Sequence, residues 1–393
     1  MENFPNLKID RTIVHVTSAH NYNDTRIFLR EAKLLADLFK EVIVLAPDAP
    51  DACIDGVKFI GFNEGTLPRG RTKRIGVLRK IKEKISLLKP DLIHMHDPEL
   101  LLLIPEYCHK NKIKCIYDIH EDYRNTIRNN SGLFVGALLS IIYDIIEKKA
   151  MKKISGTIHV TNQISEKYKH YNIPSAVVRN LPDTENIISL MTNSPYDKKN
   201  NKLVYSGSLE QRSLFHLADA VMELSKKYDD VKVCMIGEFR WEKTKKDLIE
   251  YWRKRNVLQR LEIFPRIERN IFLQKLNEFV VGLVLFWPSK NVQLALPNKM
   301  FEYMAAGLPI IVPDCPNHRE LVVNHKCGVF CDTTNSNSIY QAIDSLLNNK
   351  EESLKMGIRG REACLKYYNA KVDFSKLLDL YGEVLKDGSK NIL

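Results

Sequence analysis

A single carboxylate stands inside an apolar helical pattern in Leu296-Pro297-Asn298-Lys299-Met300-Phe301-Glu302-Tyr303-Met304-Ala305-Ala306-Gly307. Glu302 could accept hydrogen bonds from ligand hydroxyls, and Lys299, one turn earlier, could balance an anion. Pro297 suits a helix entry because its φ is fixed and it has no N–H to satisfy. Gly307 reads as the helix stop, and Ile310-Ile311-Val312 as a buried strand. A second constellation is Gly207-Ser208-Leu209-Glu210-Gln211-Arg212-Ser213, which follows a strand and opens a helix. Gly207 lets the backbone approach a ligand closely, and Arg212 could grip a diphosphate with two parallel N–H groups.

Two histidine-and-acid clusters follow strands in the first half: His94-Met95-His96-Asp97-Pro98-Glu99 and Asp118-Ile119-His120-Glu121-Asp122. Both fall where open parallel sheets bind ligands, outside the C-terminal strand ends. Histidine and carboxylate can ligate a metal, but no third and fourth ligand is evident beside His94 and His96, and no metal is expected. The first loop, Ser18 to Asp24, lacks a GxGxxG pattern, which argues against a dinucleotide dehydrogenase.

The elements that must position these residues alternate regularly. Thr12–Val16, Val42–Leu45, Val57–Ile60, Leu92–Met95, Lys114–Asp118, Gly156–Val160 and Ala176–Val178 read as strands, with helices between them near 26–39, 74–88, 98–110 and 162–170. A polar stretch from Leu181 to Asn201 reads as a linker, after which the alternation restarts with strands at 202–207, 231–237, 261–264, 281–285, 310–312 and 328–330. The helices of this half fall at 214–228, 241–256 and 270–279, and the chain closes with a helical stretch, 336–387. The fold class is therefore α/β, with two Rossmann-like doubly wound domains. The expected layout is a first domain at 1–184, a linker at 185–200, a second domain at 201–368 and a closing segment at 369–393.

The chain has 393 residues, 44% apolar and 27% charged, with a net charge of +11. That charge favours phosphates or an anionic membrane face without choosing between them. Arg69 to Lys89 holds nine basic residues and one acid, on apolar spacing that suits a helix: either a crossover helix with a solvated outer face or a basic face on anionic lipid. Aromatic residues are not interleaved with these charges, so nucleic acid is not the expected partner. Eight cysteines are scattered with no CxxC pair, as buried reduced thiols of a cytoplasmic protein would be. The N-terminus reads as carrying no signal peptide, and the apolar run Gly132–Ile146 is interrupted by Asp144 and falls short of the ~20 residues needed to span a bilayer.

The layout resembles the GT-B glycosyltransferases, and the motifs are similar to those of glycosyltransferase family 4. The resemblance is carried by Asn23-Asp24-Thr25-Arg26, His94 to Leu100, Tyr117 to Glu121, Arg179-Asn180-Leu181-Pro182, Gly207 to Arg212 and, most specifically, Pro297 to Pro309. It implies a retaining enzyme that moves a sugar from a nucleotide-diphosphate sugar to a glycan or lipid-linked acceptor in surface polysaccharide biosynthesis. It implies no cofactor or metal, and a cytoplasmic location that extends to the inner face of the plasma membrane through residues 69–89.

Carried over residue by residue, the resemblance implies a catalytic group of His120, Glu121 and Asp97. The donor would be held by Gly207, Ser208, Arg212, Leu296, Asn298, Lys299 and Glu302, the last on the ribose hydroxyls. The acceptor side would be lined by His96, Glu99, Asn23 and Arg26. In family members the closing segment packs back on the first domain. This sequence departs from the family at Leu294, where the first acid of E-x7-E belongs, at Ser208, where many members have arginine, and at Pro316–Glu320. With those departures, backbone amides around Gln293–Leu296 would carry more of the sugar recognition. An inactive scaffold of the same fold or a nucleotide-sugar epimerase stay open as alternatives.

Overall fold

The structure is a computed structural model that describes residues 8–63, 67–68, 70–130, 132–191, 200–289 and 296–386. The chain forms two compact units, Met1–Arg179 with Asp373–Leu393, and Asn180–Val372. Each is built on a mostly parallel sheet with helices on its faces, the arrangement that buries apolar strands on both sides.

In the first unit the strands are β1 (Ile9–Val16), β2 (Phe39–Ala46), β3 (Ala52–Ile54), β4 (Val57–Gly61), β5 (Leu92–Met95), β6 (Lys114–Ile119), β7 (Gly156–His159) and β8 (Ser175–Val177). Their order across the sheet is β3-β4-β2-β1-β5-β6-β7-β8. The short β3 pairs antiparallel with β4 at the sheet edge; the sequence pattern does not announce it because all three of its residues are exposed. Chain order reverses between β1 and β5, so the ends of these two strands flank the crevice where doubly wound sheets bind ligands.

The helix expected at 26–39 is instead a wide π-type helix, Thr25–Ala32, followed by one turn of α-helix, Lys33–Ala36. Asp24 caps it, accepting from the N–H groups of Arg26 and Ile27 at 2.8 and 3.1 Å. The wide turn puts residues five apart on one face, and Arg26 and Glu31 both point into the core.

The closing helix Ala370–Leu385 belongs to this unit from Asp373 onward, burying Leu377, Leu380, Tyr381 and Val384 in its core. Asp373 accepts from the backbone N–H, Nε and Nη2 of Arg179 at 2.7, 2.9 and 2.8 Å. This one carboxylate thus ties together the two places where the chain leaves and re-enters the unit. The stretch expected as a polar joint is in part a helix, Thr184–Ser189, whose Ile187 is buried in the second unit; residues 192–199 lie outside the described residues.

The second unit contains β9 (Lys202–Ser208), β10 (Lys232–Glu238), β11 (Leu261–Phe264), β12 (Val281–Leu283), β13 (Ile310–Pro313) and β14 (Gly328–Cys331), in the order β11-β10-β9-β12-β13-β14. Here the order reverses between β9 and β12, beside Gly207. The helical stretch 336–387 is divided into Ser336–Asn348, Lys350–Tyr367 and Ala370–Leu385, with Asn349 capping the second of these. Seven of the eight cysteines are buried and Cys53 is exposed; all are free. No helix among the described residues is long and apolar enough to cross a membrane.

Strands β9 and β10 approach so closely at their ends that a Cβ on Gly237 would lie 1.8 Å from the carbonyl oxygen of Gly207. Gly237→Ala therefore has to push the backbone of the Gly207 loop. We expect it to lower stability by about 2 kcal/mol, the scale of overpacking a closed site, as read by urea unfolding.

Candidate active site

The first unit gathers its chemistry at the ends of β1, β5 and β6. Asp118, the penultimate residue of β6, is wholly buried and receives Nε and Nη2 of Arg26 at 2.7 and 3.0 Å. His96 Nδ1 and His120 Nε2 stand 3.3 and 3.2 Å from the same carboxylate oxygen. Burial alone would raise the Asp118 pKa, but Arg26, His120 and His96 hold it well below the ordinary carboxylate range.

Behind this group lies a buried cluster of His15, Glu31, His94 and His96. His15 Nδ1 shares a hydrogen bond with His96 Nε2 at 3.0 Å, and His94 Nδ1 shares one with the hydroxyl of Tyr381 at 2.9 Å. Burial keeps all three imidazoles neutral, lowering their pKa values. It pushes Glu31 up to about 8 against the pull of Arg26. The third and fourth companions that the sequence does not reveal beside His94 and His96 are thus His15 and Glu31. The Arg26 guanidinium stands 3.3 Å from the other side of Glu31, on Oε1, while His15 and His94 approach Oε2.

Nearer the surface, Asp97 accepts from the Thr17 hydroxyl and the Ser18 N–H, both at 2.7 Å. Glu99 accepts from the Ser18 hydroxyl at 2.8 Å, and burial followed by the charge of Asp97 raises its pKa. His20 reaches toward Asp24 and Asp97 at 3.4 and 3.6 Å, with its ring stacked 5.7 Å from that of His120. Burial opposes its charged form, but the two carboxylates outweigh it and raise its pKa. Glu121 accepts from the Thr126 hydroxyl at 3.0 Å, turning back onto its own helix start. The structure therefore brings His120 and Asp97 into one polar cluster with His20.

Two residues expected on the acceptor side lie elsewhere. Arg26 and His96 are 4% and 0% exposed and locked into the Asp118 network, because a guanidinium and an imidazole inside a sheet must be matched by a buried carboxylate. Asn23 is exposed in the turn before the π-type helix, whereas Glu99 is buried, 6% exposed, and held by the Ser18 hydroxyl.

In the second unit, Gly207, next to last in β9, has φ of +118°, a conformation that side-chain-bearing residues avoid. Lys299 lies beneath it, with Nζ 3.2 Å from where a Gly207 Cβ would stand. This ammonium donates to the Ser206 carbonyl and packs 4.2 Å from the Tyr205 ring and 4.6 Å from that of Phe286. Burial pushes its pKa down to about 7, against the opposing pull of Glu302. Glu302 sits one turn on, buried, and accepts from Arg269 Nη1 at 2.9 Å. The neighbouring Tyr303 hydroxyl donates to the Ser206 hydroxyl at 2.9 Å, pinning the helix Asn298–Ala305 to the end of β9.

Asn298 opens that helix with a buried Oδ1 that has no hydrogen-bond partner among the described residues, and Leu296 packs on the adjoining apolar cluster. Ser208 is exposed, and the exposed Arg212 lies 5.7 Å over the Trp287 ring at the start of the helix Ser213–Leu224. Gly207, Lys299, Asn298 and Glu302 are thus one continuous site. Leu294 and the amides of 293–295 lie outside the described residues. Arg269 and Trp287 are additions to it that the sequence reading misses. The one available signal for Arg269 is a lone arginine opening the helix after β11.

The Asp118 network makes a direct prediction. Asp118→Asn keeps the shape but takes from buried Arg26 its main counter-charge and leaves it only Glu31, 3.3 Å away, and more distant Asp24, so urea unfolding should show a loss of about 3 kcal/mol.

Comparison with known proteins places this geometry in a family. Residues 25–186 match the family model described as Glycosyltransferase Family 4, and residues 188–363 match Glycosyl transferases group 1. An uncharacterized glycosyltransferase of Haemophilus influenzae is 27% identical over 187 residues, spanning 45% of this chain and 50% of that protein. The crystal structure of a glycosyltransferase from Rickettsia africae superposes with a TM-score of 0.71 at 15% identity, covering 96% of this chain and 100% of that one. Anabaena HepE in complex with UDP-glucose superposes with a TM-score of 0.68 at 13% identity, covering 94% and 99%. At these identities the two structures show a shared fold. With a family 4 domain followed by a group 1 domain, on two doubly wound units of the GT-B fold, the chain belongs to the family 4 type of glycosyltransferases.

Proposed function

We propose that this protein is a retaining glycosyltransferase that moves a sugar from a nucleotide-diphosphate sugar to a glycan or lipid-linked glycan acceptor, in surface polysaccharide assembly. The observation that carries the reading is the pair Lys299 and Glu302, one helical turn apart and buried beside the strained Gly207. A carboxylate suits the ribose hydroxyls of a nucleotide-sugar donor and cations suit its diphosphate, and this site offers both. HepE, crystallised with UDP-glucose on the same fold, supports a uridine diphosphate donor as the first to test.

In this reading Glu302 accepts from the ribose hydroxyls, while Lys299, Arg212 and the N–H groups that open the helices after Gly207 and Pro297 bind the diphosphate. Those same groups stabilise the negative charge that grows on the departing diphosphate, where preorganised donors accelerate transfer most. His120 is the group we assign to the transfer step, its imidazole 3.2 Å from the Asp118 carboxylate, with Asp97 and Glu121 as the acids that act with it. Glu99 and Asn23 line the acceptor side. The basic stretch 69–89 meets anionic headgroups where a lipid-linked acceptor resides.

Nucleotide release measured over a panel of UDP-, GDP- and dTDP-sugars tests the reading. Glu302→Ala and Arg212→Ala should each lower kcat/KM roughly 100-fold with the correct donor, the scale of losing one well-placed polar partner. Full activity in either variant would move the donor elsewhere.

A second test uses the depressed Lys299 pKa of about 7. Above neutral pH the free lysine is largely uncharged, whereas a bound diphosphate favours its ammonium, so binding must take up a proton. UDP affinity should therefore fall as pH rises from 7 to 9. Calorimetry at pH 8 in buffers of different ionisation enthalpy should register proton uptake, and Lys299→Met should abolish it.

A further inference from the structure

The helix Leu133–Met151 is turned inside out relative to an ordinary surface helix. Its inward face carries Gly136, Ser140, Tyr143 and Glu147, all buried. A Cβ on Gly136 would lie 2.4 Å from the Arg128 carbonyl oxygen, and Glu147 accepts from the hydroxyls of Tyr143 and Tyr168, both at 2.8 Å. Leu139, Ile146 and Met151 reach the core, but most of the large apolar side chains point outward. Phe134 is 86% exposed, Val135 59%, Leu138 60%, Ile141 54%, Ile142 44% and Ile145 62%. At 100° per residue these six form one stripe roughly 120° wide. Scattered exposed leucines need no explanation, but a contiguous row of this kind marks a contact surface.

The charges around the stripe say what covers it. Lys148, Lys149 and Lys152 are exposed at the C-terminal end of the same helix and its cap, and Arg124 and Arg128 are exposed on the helix packed against it. The helix Leu78–Leu88, which shares the underlying core cluster, exposes Arg79, Lys80 and Lys82. One acid of the stripe's own helix, Asp144, is already paired with Lys148 and Arg124 at 2.7 and 3.5 Å. A second copy of this chain would bring one basic surface against another. An anionic bilayer satisfies both features, because headgroups pair with the lysines and arginines while the apolar row enters the acyl boundary.

We infer that the helix Leu133–Met151 lies flat in an anionic membrane surface and inserts Phe134, Leu138, Ile141 and Ile145 below the headgroups. The helix docks on the surface rather than spanning it, since no helix among the described residues is apolar enough to cross a bilayer. This extends the membrane contact proposed above from electrostatic attraction by residues 69–89 to insertion by a different element. It does not depend on the donor chemistry, which nucleotide release reads separately.

Flotation of the full chain with vesicles of phosphatidylcholine and phosphatidylglycerol tests it. The protein should float, and a portion should stay bound in high salt, where purely electrostatic attachment is screened. The double variant Leu138→Glu, Ile141→Glu should lose at least about tenfold in partitioning, with melting temperature and UDP binding unchanged. Should that variant fold poorly, labelling gives an independent reading. Phe134→Cys in a Cys53→Ser background, tagged with an environment-sensitive fluorophore, should shift to the blue on vesicles and be quenched by spin-labelled lipid. Vesicle binding that the double variant leaves intact, or a label that stays water-exposed on bound protein, would overturn the inference. So would a concentration-dependent dimer that the double variant dissolves, with no flotation of the wild type.

Discussion

The buried carboxylate of Asp118 is the constraint on which the first unit depends. It sits on β6, takes the guanidinium of Arg26 from the π-type helix, and lies beside His96 from the end of β5 and His120 just beyond its own strand. A charge wholly removed from water is tolerable only when its partners are fixed in good geometry. The requirement runs both ways, since Asp118 is the main counter-charge of buried Arg26, ahead of Glu31. Three elements are therefore held in register by one charge, and the imidazole of His120 is oriented as a consequence.

The second unit solves a similar problem with less charge. Lys299 and Glu302 share one helix, and burial drives the lysine toward its neutral form. Aromatic faces and the Ser206 carbonyl surround the lysine Nζ, while Arg269 holds Glu302. Lys299 and Glu302 thus each have an internal partner, while the buried Asn298 Oδ1 has none among the described residues. The close approach of β9 and β10 at Gly207 and Gly237 keeps the ledge above Lys299 free of side chains.

The two clusters sit at equivalent places, where strand order reverses in each sheet. Strand ends at these points expose unpaired backbone N–H groups and leave room between diverging crossover helices. The outward-facing apolar row of the helix Leu133–Met151 follows a different logic, because none of the described residues of its own unit covers it.

Much was legible from the chain alone. Strand-helix alternation is set by hydrophobic periodicity, a local property, and it located most of the strands and the polar ends that follow them. Glu302 and Lys299 were legible for the same reason, as polar residues three apart in an otherwise apolar helix. Arg26 was legible as a residue but not in its role, because its partner Asp118 is 92 positions away and only the sheet brings them together. His15 faces His94 across the ladder between β1 and β5, a register that no single strand encodes, and Glu31 joins them only because the helix winds wide. The apolar run Gly132–Ile146 likewise reads in sequence only as too short to span a bilayer, and its neighbours decide which face is covered. Sequence by itself determined which elements form and which side chains can do chemistry, since both follow from short-range pattern. Tertiary structure alone decided which of those side chains are locked in the core and which remain free, since burial and pairing are properties of contacts between distant segments.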